Sequence, residues 1–320
     1  MLNALRGAWR RLPVSTQDRL YEIIKPTGLP YCLSYLANSR TAHRAENFAG
    51  NLLGMNERYW AADAAGRAAL SRQVLEIADH LILPNGVRKT TFAERHNTIL
   101  DTILRDERFR LARPRVRVLD VPSSIGLACL DTHAMLSARY PIESYVMGDL
   151  YFTILYDQAR QCIFDDAGNL LQVRMPSGRF HSVNRAHTSG DVYGPAARLM
   201  FVPLDLQSRR LKERYRFDRN GPLTPLQVVH PEAQARVAQG TFAISRMDVF
   251  EPITGQFDLI LSFNLLQKNY FSAEQLAVGI GRLRDALADD GLLVLGNTEH
   301  FSVSRKQQGA LSELYRSGDF

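Results

Sequence analysis

Three polar residues follow short apolar runs in this chain and are placed to contact a ligand: Asp120, Asp149 and Asn264. The runs that precede them have the length and the β-branched content of buried strands. In an open parallel sheet, ligands bind beyond the carboxyl ends of the strands. A carboxylate at such an end accepts hydrogen bonds from ribose hydroxyls, so Asp149 is the best candidate for a ribose contact.

A loop at residues 122–126 joins the first of these strands to a helical segment that extends to Tyr140. Its glycine, Gly126, lets the backbone approach a bound nucleoside closely, and the helix behind it offers free N–H groups at its N-terminus. Gly126 and its loop are therefore candidate contacts to a nucleotide-type ligand.

The elements that must position these residues are predicted from hydrophobic periodicity. Strands are predicted at residues 116–121, 144–149, 257–263 and 292–296. A capping box at residues 272–275 starts the helix between the last two strands, and residues 289–291 are expected to stop it. The chain is predicted to close with an antiparallel hairpin at residues 301–306 and 310–315. Together these units predict an α/β fold with a doubly wound, Rossmann-like, mostly parallel sheet.

The character of the sequence changes near Pro114. Residues 1–111 are predicted as a helical N-terminal cap region, and residues 112–320 as the Rossmann-like domain. An insertion at about residues 151–240, with a β-hairpin at residues 163–173, is longer than a parallel crossover needs. We expect the cap region and the insertion to cover the ligand site at the strand ends.

The net charge of +6 comes almost entirely from the first third of the 320 residues. Residues 1–112 hold 16 Lys/Arg and 11 Asp/Glu, whereas the remainder holds 23 and 22. Because the predicted Rossmann-like domain is near neutral, a nucleic-acid partner is the less favoured alternative. The amphipathic segment 1–12 is expected to pack on its own domain, with an anionic partner or a membrane surface as the alternative.

The sequence also allows predictions about cellular location, disulfides and metal sites. No apolar run is long enough to cross a membrane, and residues 1–12 lack the apolar core of a secretory signal. We therefore expect a cytoplasmic protein. The three cysteines are scattered and the histidines lack metal-ligand spacing, so we expect neither a disulfide framework nor a metal site.

Taken together, the motifs resemble those of the class I S-adenosylmethionine-dependent methyltransferases over residues 91–306, with the insertion unmatched. Their order and spacing correspond to the first, second, fourth and fifth strands of that fold. Within the class, the chain is most similar to the chemotaxis-receptor methyltransferase type. That similarity rests on four segments, at residues 124–126, 264–266, 270–271 and 296–299.

The resemblance implies S-adenosylmethionine as cofactor and methyl transfer to an oxygen, nitrogen or carboxylate of a small molecule or protein. It places Asp149 at the ribose, Asp248 at the adenine, and Asn264 beside the methionine end or the substrate. The cofactor-binding residues that it implies are Asp120, Ser123, Ser124, Gly126, Asp149, Leu150, Asp248, Val249 and Asn264. Because the cofactor brings a reactive sulfonium, no strong base is required, and the candidates for catalysis are Asn264, Tyr270 and His300.

Departures from the family pattern keep other functions open. Pro122 and Ser124 stand where the family has its first two loop glycines, and Phe263 stands where the receptor-methylating type has an arginine. A non-catalytic cofactor-binding or scaffold module of the same fold is therefore one alternative. A nucleic-acid methyltransferase and an NAD-dependent redox enzyme are the others.

Several of the candidate residues also have a structural alternative. Asp149 and Asp248 can serve as caps or turn residues, and Asp120 can bond to its own loop rather than to a ligand. Tyr270 belongs equally well in a core, and a histidine on a loop, such as His300, is commonly solvated.

Overall fold

The computed structural model describes residues 45–184, 195–268 and 270–318, and the amphipathic segment predicted at residues 1–12 lies outside them. The chain forms two compact units. One comprises Leu52–Asp79, Lys89–Ile154 and the described residues from Leu226 onward, and the other comprises the rest of the described chain. The domains predicted from the sequence, divided at residue 112, stay a prediction.

The elements of the described chain account for every strand predicted around the candidate site. The helices are α1 Met55–Ala61, α2 Ala64–His80, α3 Asn97–Arg105, α4 Leu127–Ser137, α5 Pro195–Arg214, α6 Pro231–Ala238 and α7 Ala273–Ala286. The strands are β1 Val116–Asp120, β2 Ile142–Asp149, β3 Thr153–Asp157, β4 Cys162–Phe164, β5 Leu170–Arg174, β6 Phe180–Ser182, β7 Leu223–Gln227, β8 Ala243–Arg246, β9 Phe257–Phe263, β10 Leu287–Gly296, β11 Phe301–Gln307 and β12 Ala310–Arg316.

The larger sheet has seven strands in the order β12-β11-β10-β9-β1-β2-β8. The strands β8, β2, β1, β9 and β10 run parallel, whereas β11 and β12 form the predicted closing antiparallel hairpin. The order reverses at β1, since β2 and β8 lie on one side of it and β9 and β10 on the other. This confirms the predicted doubly wound, Rossmann-like sheet, and it puts the carboxyl ends of β2, β1 and β9 side by side.

Helices cover both faces of this sheet. Successive residues of a strand point to opposite sides, so each strand contributes to a core on either face. Val118 of β1 and Leu261 of β9 belong to a core that includes residues of α3, α4 and α6. Leu119 and Ile260, one position away, belong to a second core with Leu283 of α7. Continuous apolar strands of this kind are typical of parallel sheets that are buried on both faces.

The end of α7 differs from the prediction, which placed its stop at residues 289–291. The predicted capping box forms at the start of the helix, but α7 ends at Ala286 and β10 begins at Leu287. Leu287 is fully buried and pairs with Phe257, and the register then shifts before Leu292. Burial of Leu287 in the sheet therefore overrides the helical periodicity that also includes it.

The other unit is built on a five-stranded sheet in the order β6-β5-β4-β3-β7. The predicted β-hairpin forms there as the antiparallel pair of β4 and β5. Its core contains Cys162, Phe164 and Val173 from these strands and Leu211 from α5. Among the described residues, no helix combines the length and the apolar character needed to cross a membrane.

Candidate functional site

Asp149 ends β2 at the carboxyl edge of the larger sheet, where it forms a buried ion pair. Its Oδ1 lies 2.7 Å from the Nζ of Lys89, and the two side chains are 8% and 2% exposed. The same carboxylate accepts hydrogen bonds from the backbone N–H groups of Ser124, at 2.8 Å, and Tyr151, at 3.0 Å. The residue predicted to hold a ribose is therefore already engaged by the chain itself.

The loop after β1 adopts a backbone geometry that glycines usually provide. Gly126, the N-cap of α4, has a φ of 80°, and Ser124 has a φ of 54°. The left-handed region costs a residue with a side chain about 1–2 kcal/mol. Ser124 adopts it while its Oγ donates a hydrogen bond of 2.7 Å to the carbonyl oxygen of Lys89. The second loop position therefore keeps a glycine-like conformation without a glycine.

Gly126 is also a point of close packing. A Cβ added to Gly126 would lie 2.8 Å from the Cε of Met147 and 2.9 Å from the Cβ of Ala233. These neighbours belong to β2 and α6. The absence of a side chain at Gly126 thus lets the loop approach both elements closely.

Asn264 and Ser123 carry buried polar atoms, Nδ2 and Oγ respectively, that lack hydrogen-bond partners among the described residues. Asn264 follows β9 with a φ of 59°, which asparagine tolerates better than most residues. Its N–H donates to the carbonyl oxygen of Gly296 at 2.7 Å, and its Oδ1 accepts a long hydrogen bond of 3.5 Å from Thr298. Because leaving a buried polar atom unpaired is costly, these two atoms are suited to a ligand.

Asp120 contacts protein groups in the core. Its carboxylate accepts hydrogen bonds from the hydroxyl of Tyr145, at 2.8 Å, and from the Sγ of Cys129, at 3.3 Å. Burial raises the pKa of Asp120 to about 6, against the lowering effect of these two hydrogen bonds. Asp120 therefore links β1 with β2 and α4, and these contacts favour its structural alternative.

The other implied cofactor residues follow β2 and β8. The Oδ1 of Asp248 accepts a hydrogen bond of 3.0 Å from the N–H of Phe250, which is the geometry of an Asx turn. Val249 is buried in the core that includes α7, and Leu150 is half-buried after Asp149. Of these three residues, Asp248 alone offers a polar side chain, and one of its oxygens already serves the turn.

The remaining candidates for catalysis lie on two separate loops. Tyr270 is 38% exposed between β9 and α7, where its ring contacts that of Phe271. His300 lies in the turn between β10 and β11, where its N–H donates to the Oδ1 of Asn297 at 2.7 Å. Among the hydrogen bonds of the described chain, neither side chain bonds to Asp149.

Arg95 and His96 lie just before α3, and His96 brings a further polar group to the end of β9. The His96 ring stacks on Phe263, the last residue of β9, with the ring centroids 4.2 Å apart. The buried Nδ1 of His96 and the buried Nε of Arg95 have no hydrogen-bond partner in the part of the chain that the structure describes. Burial, together with the charge of Arg95, lowers the pKa of His96 to about 4. The imidazole is therefore neutral at physiological pH.

Replacing His96 with phenylalanine is expected to change how stability depends on pH. Folding lowers the pKa of His96 from 6.5 to about 4, so in acid the unfolded chain binds this proton first. Stability is therefore lost as the pH falls through this range. Between pH 7 and pH 5, the wild type should lose about 2 kcal/mol more than His96→Phe, which keeps a ring on Phe263. Urea unfolding at each pH measures the difference, and equal losses in the two proteins would contradict it.

The sequence gives no sign that Lys89 is the partner of Asp149. The two residues are 60 positions apart, and the segment around Lys89 shows neither strand nor helix periodicity. Because lysine is rarely buried, nothing local marks this one as a buried residue. His96 carries a weak signal, since it directly precedes a segment with helical periodicity.

Comparison with known proteins finds similarity at the level of solved structures. No protein-family model matches the chain, and no curated protein does. An O-methyltransferase family protein from Burkholderia thailandensis is 13% identical with a TM-score of 0.30, and the match covers 77% of this chain and 48% of that one. The N-methyltransferase NodS from Bradyrhizobium japonicum WM9, in complex with S-adenosyl-L-homocysteine, is 11% identical with a TM-score of 0.28, covering 63% and 62%.

Magnesium protoporphyrin IX methyltransferase (ChlM) from Synechocystis PCC 6803 is 11% identical with a TM-score of 0.29, and the match covers 68% of this chain and 77% of that one. The chain spans less than two thirds of the length of each of the first two proteins. Similarity at this level carries no activity, substrate or cofactor from those proteins to this chain.

Proposed function

We propose that the chain is an S-adenosylmethionine-dependent methyltransferase whose acceptor is an oxygen, nitrogen or carboxylate of a small molecule or protein. The observation that carries the proposal is the joint placement of Gly126, Asp149 and Asn264 at the carboxyl edge of one doubly wound sheet. That edge is where such sheets bind nucleotides. The sequence segments that resemble class I methyltransferases supply the more specific choice of cofactor.

The residues fit this cofactor in the loop and at β9, but they do not fit it at the ribose. The glycine-like loop is suited to a nucleoside, and the unpaired Ser123 Oγ and Asn264 Nδ2 can bond to a ligand. A carboxylate has about four acceptor positions. On Asp149, Lys89 and two backbone N–H groups take three of them. Two ribose hydroxyls therefore cannot both bond to Asp149 while Lys89 stays in place.

No particular acceptor within this class is proposed. The chemotaxis-receptor subtype is not part of it, because Phe263 stands where that type has an arginine. The cover formed by the N-terminal region and the insertion, the anionic partner of segment 1–12 and the cytoplasmic location stay predictions.

A non-catalytic binding module is the second candidate function, and the Lys89–Asp149 pair is the observation that favours it. A chain whose own lysine fills the ribose position satisfies its acid without a ligand. Pro122, which replaces the first loop glycine and has no N–H group, favours the same alternative. Binding of the cofactor without turnover on any candidate acceptor would support this second function.

Calorimetric titration with S-adenosylhomocysteine tests the main proposal. We expect saturable binding to the wild type and no binding of NAD. Loss of one hydrogen bond is worth about 0.5–1.5 kcal/mol, so Asn264→Ala should weaken binding by roughly two- to twelvefold. Asn184→Ala, which removes a bond to the carbonyl oxygen of Ile82 in the other unit, is the matched control and should bind like the wild type.

Two results would count against the proposal. The first is that neither the wild type nor a folded Lys89→Met variant binds S-adenosylhomocysteine. The second is that NAD binds instead. Unchanged affinity of Asn264→Ala would leave the cofactor in place but would remove Asn264 from the binding site.

A further inference from the structure

Lys89 is held at the carboxyl edge of the sheet by both its backbone and its side chain. Its carbonyl oxygen accepts a hydrogen bond from the Oγ of Ser124, and its Nζ lies 3.4 Å from the carbonyl oxygen of Ser124. The ammonium also lies 5.7 Å from the centroid of the Phe152 ring. Since the N–H of Ser124 donates to Asp149, the three residues form a closed ring of hydrogen bonds over the loop after β1.

A buried ion pair such as Lys89–Asp149 adds little net stability to a fold. The desolvation cost of a buried ion pair often exceeds the attraction between its charges, and apolar replacements are frequently as stable. In the same unit, Asp258 is also buried, but its partner Arg117 keeps 28% of its side chain exposed. Lys89 keeps only 2%. Lys89 is therefore almost fully buried at the edge where sheets of this kind bind ligands. Stability alone does not explain this burial, so we look for a function.

We propose that Lys89 is an autoinhibitory latch, which occupies the place of the cofactor's ribose on Asp149 and must leave before the cofactor binds. This inference rests on the function proposed above. With Lys89 in place, Asp149 presents about one free acceptor position, and a diol needs two. Once Lys89 has left, Asp149 keeps its two backbone N–H donors and regains the position on Oδ1.

Release of Lys89 also involves the end of β9. Lys89 and His96 belong to one short segment before α3, and the His96 ring rests on Phe263. A displacement of Lys89 is therefore connected, through the chain, to His96, whose ring stacks on Phe263 directly before Asn264. The latch accordingly links the ribose position to the part of the site where we place the methionine end or the acceptor.

The strength of the latch sets the size of the expected effect. A protein whose binding-competent state is only partly populated binds its ligand more weakly by that fraction. If Lys89 is released in about 1–10% of molecules, removing the latch should raise the affinity about 10- to 100-fold.

The first test compares S-adenosylhomocysteine binding by the wild type, Lys89→Met and Lys212→Met, measured by calorimetry. Methionine keeps an unbranched apolar stem and removes the ammonium. Lys212, an exposed lysine of α5, is the matched control and should leave the affinity unchanged. Lys89→Met should bind at least about tenfold more tightly than the wild type.

The outcomes of this titration separate the two proposals. Equal affinities of the wild type and a folded Lys89→Met, with both binding, would overturn the latch and leave the proposed function standing. If neither binds, the proposed function fails and the latch fails with it. Binding by Lys89→Met alone supports both.

The second test uses the wild type, so it does not depend on how a variant folds. Formaldehyde with cyanoborohydride methylates accessible lysine amines, and peptide mass spectrometry reports the extent at each lysine. Lys89 should resist modification in the free protein and become modified when S-adenosylhomocysteine is saturating, whereas Lys212 should react alike in both states. If Lys89 stays protected while calorimetry shows the ligand bound, the latch is overturned and the pair is purely structural.

Discussion

Replacing Asp149 with alanine is expected to destabilise the folded chain by about 3–5 kcal/mol, because Lys89 would then be a buried charge without an anion. Only 2% of the Lys89 side chain is exposed, and its ammonium also lies near the Ser124 carbonyl oxygen and the Phe152 ring. Lys89→Met should cost less, since Asp149 would keep its two backbone N–H donors. Free energies of unfolding in urea measure both losses.

Removing both charges provides the internal check on this effect. A Lys89→Met/Asp149→Leu double variant should recover most of the stability that Asp149→Ala loses, since no charge is left buried. Asp101→Ala is the surface control, because Asp101 pairs with Arg105 on the exposed side of α3. An exposed pair of this kind should cost less than about 0.5 kcal/mol. A similar loss in Asp149→Ala and Asp101→Ala would mean that the Lys89–Asp149 pair is not desolvated.

Gly126→Ala is expected to cost about 2–4 kcal/mol, from backbone strain and overpacking together. The residue has a φ of 80°, and its new Cβ would lie 2.9 Å from the Cβ of Ala233. The Met147 methyl group can shift to make room, but the Cβ of Ala233 is attached directly to the backbone of α6. The substitution must therefore move the loop away from α6 or strain both elements.

Gly240→Ala separates these two contributions. Gly240 has a φ of 73°, and a Cβ built there meets no atom within 4 Å. This variant should therefore show the backbone strain alone, about 1–2 kcal/mol. Thermal unfolding of both variants gives the difference, which measures how tightly the loop packs against β2 and α6. Equal losses in the two variants would rule out close packing at Gly126.

The larger sheet is predictable from the sequence because its strands are continuous apolar runs. All seven residues of β9 are buried, so the chain carries the signal of a strand covered on both faces. The end of α7 is not predictable in the same way. Leu287 lies four residues after Leu283, so it fits the apolar periodicity of the helix as well as the strand that follows. Only its burial against the neighbouring strand, where it pairs with Phe257, decides between them.

The sequence predicts which polar residues of the candidate site lie at strand ends. It predicts less well which groups those residues contact. The acids and Asn264 are found because each follows an apolar run. The choice between a cofactor contact and a structural role for Asp120 depends on Tyr145 and Cys129, which reach it from other elements. No sequence pattern signals that Ser124 takes a left-handed conformation, since glycine is the residue that usually marks it.

The pairing of Lys89 with Asp149 is the feature of the site that the local sequence predicts least. Its pairing with Asp149 arises from the path of the chain across the sheet edge, and periodicity carries no information about it. A lysine in a segment without helix or strand pattern is expected in solvent. The structure instead places its ammonium at the acid that the motif comparison selects for the ribose.

A crystal structure of the wild type with bound S-adenosylhomocysteine tests this view of the site most directly. We expect the ribose hydroxyls within hydrogen-bond distance of Asp149 and a contact from the Nδ2 of Asn264 to the ligand. We also expect the Nζ of Lys89 to have left its position 2.7 Å from the Oδ1 of Asp149. A ligand bound away from Asp149, or bound there with the Lys89–Asp149 pair intact, would contradict the latch and the binding mode on which it rests.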